Sequence, residues 1–136
     1  THERSSAASD VYKRQGIDIV EVERIKAILA QKNGARFMEK VLHASEITEC
    51  QTYTNQAAYV AKRFAVKEAM AKALGTGIGI HLAFTDMYVE HDELGKPVLK
   101  FTQDCEQRLN LQDKHVLLSI ADESAYAVAH VMLFAK

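Results

Sequence analysis

The chain has no tryptophan, one proline, two cysteines and almost no net charge, with 17 Lys+Arg against 18 Asp+Glu over 136 residues. Each shortage excludes something. Cys50 and Cys105 have no metal-ligand spacing, which argues against a disulfide scaffold or a cysteine-held metal and suits the reduced thiols of a cytosolic protein. A formal charge of −1 sets up no global field toward nucleic acid, so any basic docking patch must be local. No apolar run approaches the roughly 20 residues a membrane helix needs, and no charged-then-apolar leader marks a secretory signal. The expectation is a cytoplasmic protein with neither a membrane nor a nucleic acid as partner. No Pro-rich linker and no internal repeat divides the chain, and its length suits one core rather than two. Six histidines are scattered without ligand or triad spacing, and no Ser/His/Asp or Cys/His arrangement is legible.

What is present centres on residues 62–79, KRFAVKEAMAKALGTGIG. The pattern predicts a helix opened by Asn55 and running to about Leu74, with Gly75 as its C-terminal stop. It is apolar nearly all round, so it belongs in the interior. Upstream, residues 16–22 (GIDIVEV) read as a strand. A helix over 23–31 follows, then the Asn33-Gly34 turn and a short helix over 35–42 with Phe37, Val41 and Leu42 inward. Ser45 is the expected cap of another short helix, one whose SEIT run lacks the Glu or Gln of a capping box. Downstream, strands are expected over 84–91 and 98–101 around the Leu94–Pro97 turn. A helix capped by Thr102 and running to about Leu111 comes next, then two strands over 115–121 and 125–134. The fold class is α+β, a small antiparallel sheet packed on a long central helix. Residues 1–15 (THERSSAASDVYKRQ) are polar and lack an initiator Met. They are set apart from the domain, 16–136, as a tag, scar, mis-translated junction or native extension.

Two carboxylates carry the chemical interest. At 100° per residue, Glu68 and Lys72 share one helical stripe with Ala57, Ala61, Phe64 and Ala65, small neighbours that admit another backbone or a ligand. Glu68 and Lys72 can equally be an ordinary i, i+4 ion pair. Asp18 lies inside an apolar strand, on the pleat face of Val20 and Val22, and needs hydrogen bonds, a cation or a metal. It can equally bond local backbone or Arg24. An Asp and a Glu without His or Cys suit a hard, oxygen-loving ion, Mg²⁺ above Zn²⁺. The GTGIG segment after the helix lets backbone N–H groups approach an anion. It follows a helix C-terminus, however, where the dipole is negative, so it is not a P-loop.

In this order and spacing, GIDIVEVERI, RFMEKVL followed by SE, KRFAVKEAMAKALGTGIG, the ELGKP turn and LSIADESAYAVAHVML resemble the short type of 4′-phosphopantetheinyl transferase, the holo-[acyl-carrier-protein] synthases. The resemblance spans roughly Gly16 to Phe134. It implies transfer of 4′-phosphopantetheine from coenzyme A to a serine of an acidic acyl carrier protein, Mg²⁺-dependent, with release of adenosine 3′,5′-bisphosphate. It also implies a homotrimer with the active site at the subunit interface, and a place in fatty acid biosynthesis. By the same resemblance Asp18 and Glu68 hold Mg²⁺, and Lys72 meets the pyrophosphate. Gly75, Thr76 and Gly77 line the coenzyme site, and Arg24 and Arg36 meet the carrier protein. The chemistry suits Glu68 as the base for the carrier serine.

The chain departs from the family pattern in three places. Tyr12–Gln15 stands where apolar residues usually precede the glycine, Gln51–Gln56 is uncharged where some members carry a basic loop, and Asp122 stands where some have a histidine. Of the 3′-phosphate contacts only Arg63 is carried as a candidate. Two rivals remain at this level: a non-catalytic coenzyme- or carrier-binding module, and an interaction protein whose alanine stripe packs on an identical subunit.

Overall fold

A computed structural model describes residues 13–136. Strand β1 (Lys13–Glu21) is followed by α1 (Val22–Leu29), α2 (Gly34–Val41), α3 (Ala44–Cys50) and the long α4 (Gln56–Leu74). The hairpin β2 (Met87–His91) and β3 (Pro97–Phe101), then α5 (Gln103–Arg108), β4 (Lys114–Asp122) and β5 (Tyr126–Ala135), complete the chain. β1, β5 and β4 form one antiparallel sheet in that order, and β2 and β3 form a second. The first strand therefore pairs with the last, Asp18 opposite Ala129 and Val20 opposite Ala127. Among the described residues, no helix is long and apolar enough to cross a membrane.

β1 begins at Lys13, three residues before the expected Gly16, because Lys13, Arg14 and Gln15 extend the ladder opposite Phe134, Leu133 and Met132. What was expected of residues 1–12 lies outside the described residues. Along β1, Gly16 and Val20 are buried and Asp18 half-buried, while Ile17 and Ile19 face outward. The inward face lies on α4, and Gly16 makes that contact possible. A Cβ there would stand 2.1 Å from the Ala69 carbonyl oxygen and 2.6 Å from the Ala73 nitrogen. Across the sheet Ala127 and Ala129 are buried, so small side chains on both sides let helix and sheet approach closely.

The sequence periods identify α4 well. Asn55 caps it by accepting from the Ala58 N–H at 3.0 Å, and Gly75 ends it at φ 79°, in the left-handed region glycine favours. Three expectations shift. The cap of α3 is His43, whose Nδ1 accepts from the Ser45 N–H at 3.2 Å. With the helix starting at Ala44, Glu46 falls at the third helical position and its Oε1 accepts from the His43 N–H at 3.0 Å, completing a capping box. Residues 84–86 form a 3₁₀ turn rather than strand, because Asp86 Oδ2 accepts from the Ala83 N–H at 2.9 Å. Finally, α5 ends at Arg108 rather than near Leu111, because Asn110 adopts φ 55°.

Among the described residues, three charged side chains lie in the interior: Glu46, Arg63 and Lys67. Lys67 Nζ donates to Glu46 Oε1 at 2.5 Å and to the Val41 carbonyl at 2.7 Å, while Glu46 Oε2 accepts from the Val89 N–H at 2.9 Å. This knot joins α2, α3, α4 and β2. A buried charge without such partners is strongly destabilising, and here each bond ends on a different element.

Candidate active site

Two elements build the site. β1 presents Asp18 toward α4, and the last turn of α4 presents Lys72 back toward β1. Lys72 Nζ donates to Asp18 Oδ1 at 2.8 Å and to the Ile17 carbonyl at 3.1 Å. The lysine side chain is 55% exposed and the aspartate 15%, so Asp18 is fixed at the edge of the core while its cation reaches it from solvent. The i, i+4 pair with Glu68 is not the one this lysine makes; its partner is Asp18, across the fold.

Glu68 lies one turn before Lys72 on the same side of α4, and no hydrogen bond or ion pair engages it among the described residues. Burial and then the nearby charge of Asp18 raise its carboxyl above the ordinary carboxylate value, and the charges of Lys72 and Arg24 act against that rise. Asp18, Lys72 and Arg24 are thus each within electrostatic reach of Glu68. Two mutually repelling carboxylates, one with no protein partner, form an oxygen donor pair that fits a hard divalent cation. Such an ion typically takes only one or two carboxylates and fills its shell with water and phosphate oxygens. Among the described residues, no group of three or more His, Cys, Asp or Glu could make a closed cage.

Beyond Lys72 the chain turns at Gly75 (φ 79°) and Gly77 (φ 70°), with Thr76 Oγ1 on the Gly77 carbonyl at 3.2 Å. A Cβ at Gly77 would meet nothing within 4 Å, so this side of the loop is open. Arg14 Nη1 donates to the Leu74 carbonyl at 2.8 Å and lies over Gly75. A cation thereby offsets the negative helix end that counted against anion binding here.

Arg63 is not brought to this cluster, and among the described residues no hydrogen bond or ion pair joins Arg36 to it. Arg63 is nine residues before Lys72, half a turn away around α4, and its guanidinium is occupied inside. Its Nη2 is 3.2 Å from Glu49 Oε1, its Nε 3.5 Å from Glu46 Oε2, and its plane lies 4.5 Å over the Tyr59 ring. Arg36 is exposed on α2. Sequence reasoning missed the partners of this interior, Glu46, Glu49 and Tyr59. The signal was there in Arg63 and Lys67, two cations at i, i+4 on a helix with no polar face, which between them require a buried carboxylate.

The sequence model of the 4′-phosphopantetheinyl transferase superfamily matches residues 14–130. A holo-[acyl-carrier-protein] synthase of Photobacterium profundum is 44% identical over 119 residues, covering 87% of this chain and 94% of that protein. The chain belongs to the 4′-phosphopantetheinyl transferase superfamily. Within that superfamily it is an enzyme of the holo-[acyl-carrier-protein] synthase type, which sets aside the non-catalytic module and the pure interaction protein. Solved structures of the type share its fold. The Neisseria meningitidis synthase superposes with a TM-score of 0.81 at 37% identity, covering 88% of this chain and 96% of that one. The Bacillus anthracis synthase, solved in complex with CoA (3′,5′-ADP), gives 0.76 at 36% identity, covering 90% and 96%.

Proposed function

We propose that this transferase moves 4′-phosphopantetheine from coenzyme A to the serine of an apo acyl carrier protein, with Mg²⁺, releasing adenosine 3′,5′-bisphosphate. The observation that carries the residue assignment is the meeting of Asp18 and Lys72 at 2.8 Å beside the unpartnered Glu68. Asp18 and Glu68 would hold the Mg²⁺, which supplies positive charge to the pyrophosphate oxygens when bound. Lys72, half-exposed on a flexible stem, shifts from Asp18 to the phosphate and neutralises charge gathering on the leaving group. Glu68, whose raised carboxyl is suited to proton transfer, takes the serine proton directly or through a water. The serine oxygen bonds to the pantetheine-side phosphorus, and the bridge to the adenosine-side phosphate breaks.

The open backbone of Gly75, Thr76 and Gly77 lines the coenzyme side, and Arg24, exposed on α1, faces the acidic carrier, with Arg36 as a further basic contact. The outer face of the β1–β5–β4 sheet supports assembly as a homotrimer, since Ile17 (60% exposed), Ile19 (62%), Leu117 and Tyr126 all lie on it. Arg63 could meet a coenzyme phosphate only from the far side of α4, as a neighbouring subunit would allow. These residues and partners suit a cytoplasmic domain that includes β1 from Lys13.

The test is direct: the protein is mixed with apo acyl carrier protein, coenzyme A and Mg²⁺, and the carrier is weighed by mass spectrometry. A pantetheinyl adduct is expected; its absence, with a working synthase alongside, ends this reading. Glu68→Gln separates the two roles of that residue. Lost metal binding with turnover intact at saturating metal would remove Glu68 as the base.

A further inference from the structure

The glycine loop after α4 is free to bend, yet it is held at both ends. At its start, the Gly75 N–H donates to the Ala71 and Lys72 carbonyls at 3.0 Å. At its far end, the Gly79 N–H donates to the Leu82 carbonyl at 2.9 Å, and Leu82 is fully buried. Between these points, Ile80 and His81 are exposed, and backbone bonds alone leave that side of the loop untied. The tie comes from α5. Arg108 Nη1 donates to the His81 carbonyl oxygen, while its Nη2 lies 3.3 Å from Asp86 Oδ2 and 3.1 Å from Asp104 Oδ2. Asp86 Oδ2 in turn accepts from the Ala83 N–H at 2.9 Å. One guanidinium therefore grips the loop at His81, the turn that follows it at Asp86, and its own helix at Asp104.

We propose that Arg108 is a positioning residue for coenzyme binding. By fixing the His81 carbonyl against α5 it holds the glycine loop in the shape that receives the coenzyme, without touching the coenzyme itself. The inference rests on the reading that Gly75–Gly77 lines the coenzyme site. A loop with left-handed glycines at 75 and 77 has many accessible shapes, and each residue left unfixed before binding must be ordered when the ligand arrives. The planar fork of arginine reaches acceptors on separate elements from separate nitrogens in fixed directions, which the single ammonium of a lysine cannot. The residue type is therefore part of the device, while its half-exposed place on α5 keeps it outside the core.

The test compares Arg108→Gln, Arg108→Lys and Gly77→Ala, the last reshaping the loop directly by placing a side chain at φ 70°. Coenzyme A and apo carrier protein are varied separately, and the Tm of each variant is measured. The expected result is a coenzyme KM raised about tenfold in Arg108→Gln and less in Arg108→Lys, with kcat and the carrier KM within about twofold. If Gly77→Ala raises the coenzyme KM and Arg108→Gln does not, the loop reading stands and the role of Arg108 is overturned. The role is likewise overturned if Arg108→Gln lowers Tm and active fraction at constant coenzyme KM, for then the clamp is structural only. If neither site moves the coenzyme KM, the loop reading itself fails and takes the inference with it.

Discussion

The ammonium of Lys72 stands 2.8 Å from Asp18 Oδ1, binding the end of α4 to the middle of β1. The same carboxylate is a proposed metal ligand, so lysine and metal compete for it. Lys72→Met should therefore tighten Mg²⁺ binding several-fold, because a competing cation is gone. It should also lower kcat by about 10²-fold through loss of phosphate neutralisation. Mg²⁺ titration by calorimetry and steady-state kinetics read the two effects separately. Weaker Mg²⁺ binding with unchanged turnover would contradict both assignments.

Glu68 holds its proton more tightly in the fold than in the unfolded chain, since burial and Asp18 raise it above 4.5. The stability it contributes is fully present below that value and is lost as pH rises through the raised folded value. Metal-free protein should thus lose stability as pH climbs from about 4.5 through the raised folded value, and Mg²⁺ should restore it by taking the proton's place. Glu68→Gln should flatten this part of the profile and be at least as stable as the parent at neutral pH in chelator. Urea unfolding at a series of pH values decides it; parallel curves for parent and variant would sink the idea.

Arg24 is exposed on α1 and within electrostatic reach of Glu68. If it meets an acidic partner, Arg24→Glu should raise the carrier KM by tenfold or more at low salt, and the gap should narrow as salt screens the charges. The coenzyme KM should not move. Kinetics between about 20 and 300 mM NaCl provide the check.

The elements that local pattern could reach were legible: α4 from its period and from Asn55 and Gly75, and β4 and β5 from alternation. Asp18 and Glu68 were legible because a carboxylate among apolar residues demands a partner. Lys72 was found on the same stripe, but its actual partner lies 54 positions away, and spacing along one helix can suggest only partners on that helix. Three features depended on tertiary placement. Gly16 reads as an ordinary strand start until α4 lies against it. Lys67 reads as a flank charge until Glu46 arrives from α3. His43 becomes a cap only because α3 starts two residues earlier than the Ser45 signal suggests.

Gly16→Ala tests the close approach of β1 to α4. The added Cβ would meet the Ala69 carbonyl oxygen at 2.1 Å, the Ala73 nitrogen at 2.6 Å and Lys72 Cβ at 3.0 Å, and two of these are backbone atoms that cannot rotate aside. Overpacking typically costs about 1–3 kcal/mol, and this contact should fall at or above the upper end. Because relief requires β1 to move off α4, Asp18 and Lys72 should part as well. The expected outcome is a clear drop in urea midpoint together with lower kcat in the fraction that remains folded. A destabilised variant with full specific activity would show that the site tolerates the shift.

Lys67 and Glu46 offer the sharpest contrast between stability and chemistry. Both side chains are essentially inaccessible, with Nζ and Oε1 2.5 Å apart, and Arg63 Nε lies 3.5 Å from the other oxygen of the same carboxylate. Burial pushes the Lys67 ammonium down from its ordinary value, and Glu46 opposes that shift. Removing one partner of such a pair costs about 3–5 kcal/mol. Glu46→Gln should cost more than Lys67→Met, because it leaves two buried cations facing each other, whereas Lys67→Met leaves Glu46 with Arg63 and the Val89 N–H. A double-mutant cycle should return a coupling above about 1 kcal/mol. Lys67 directly precedes Glu68 but is turned about 100° from it around α4, onto Val41 of α2 and Glu46 of α3, so the coenzyme KM of the folded fraction should stay at the parent value in both single variants. A KM shift without loss of stability would move this pair from the core into the binding site.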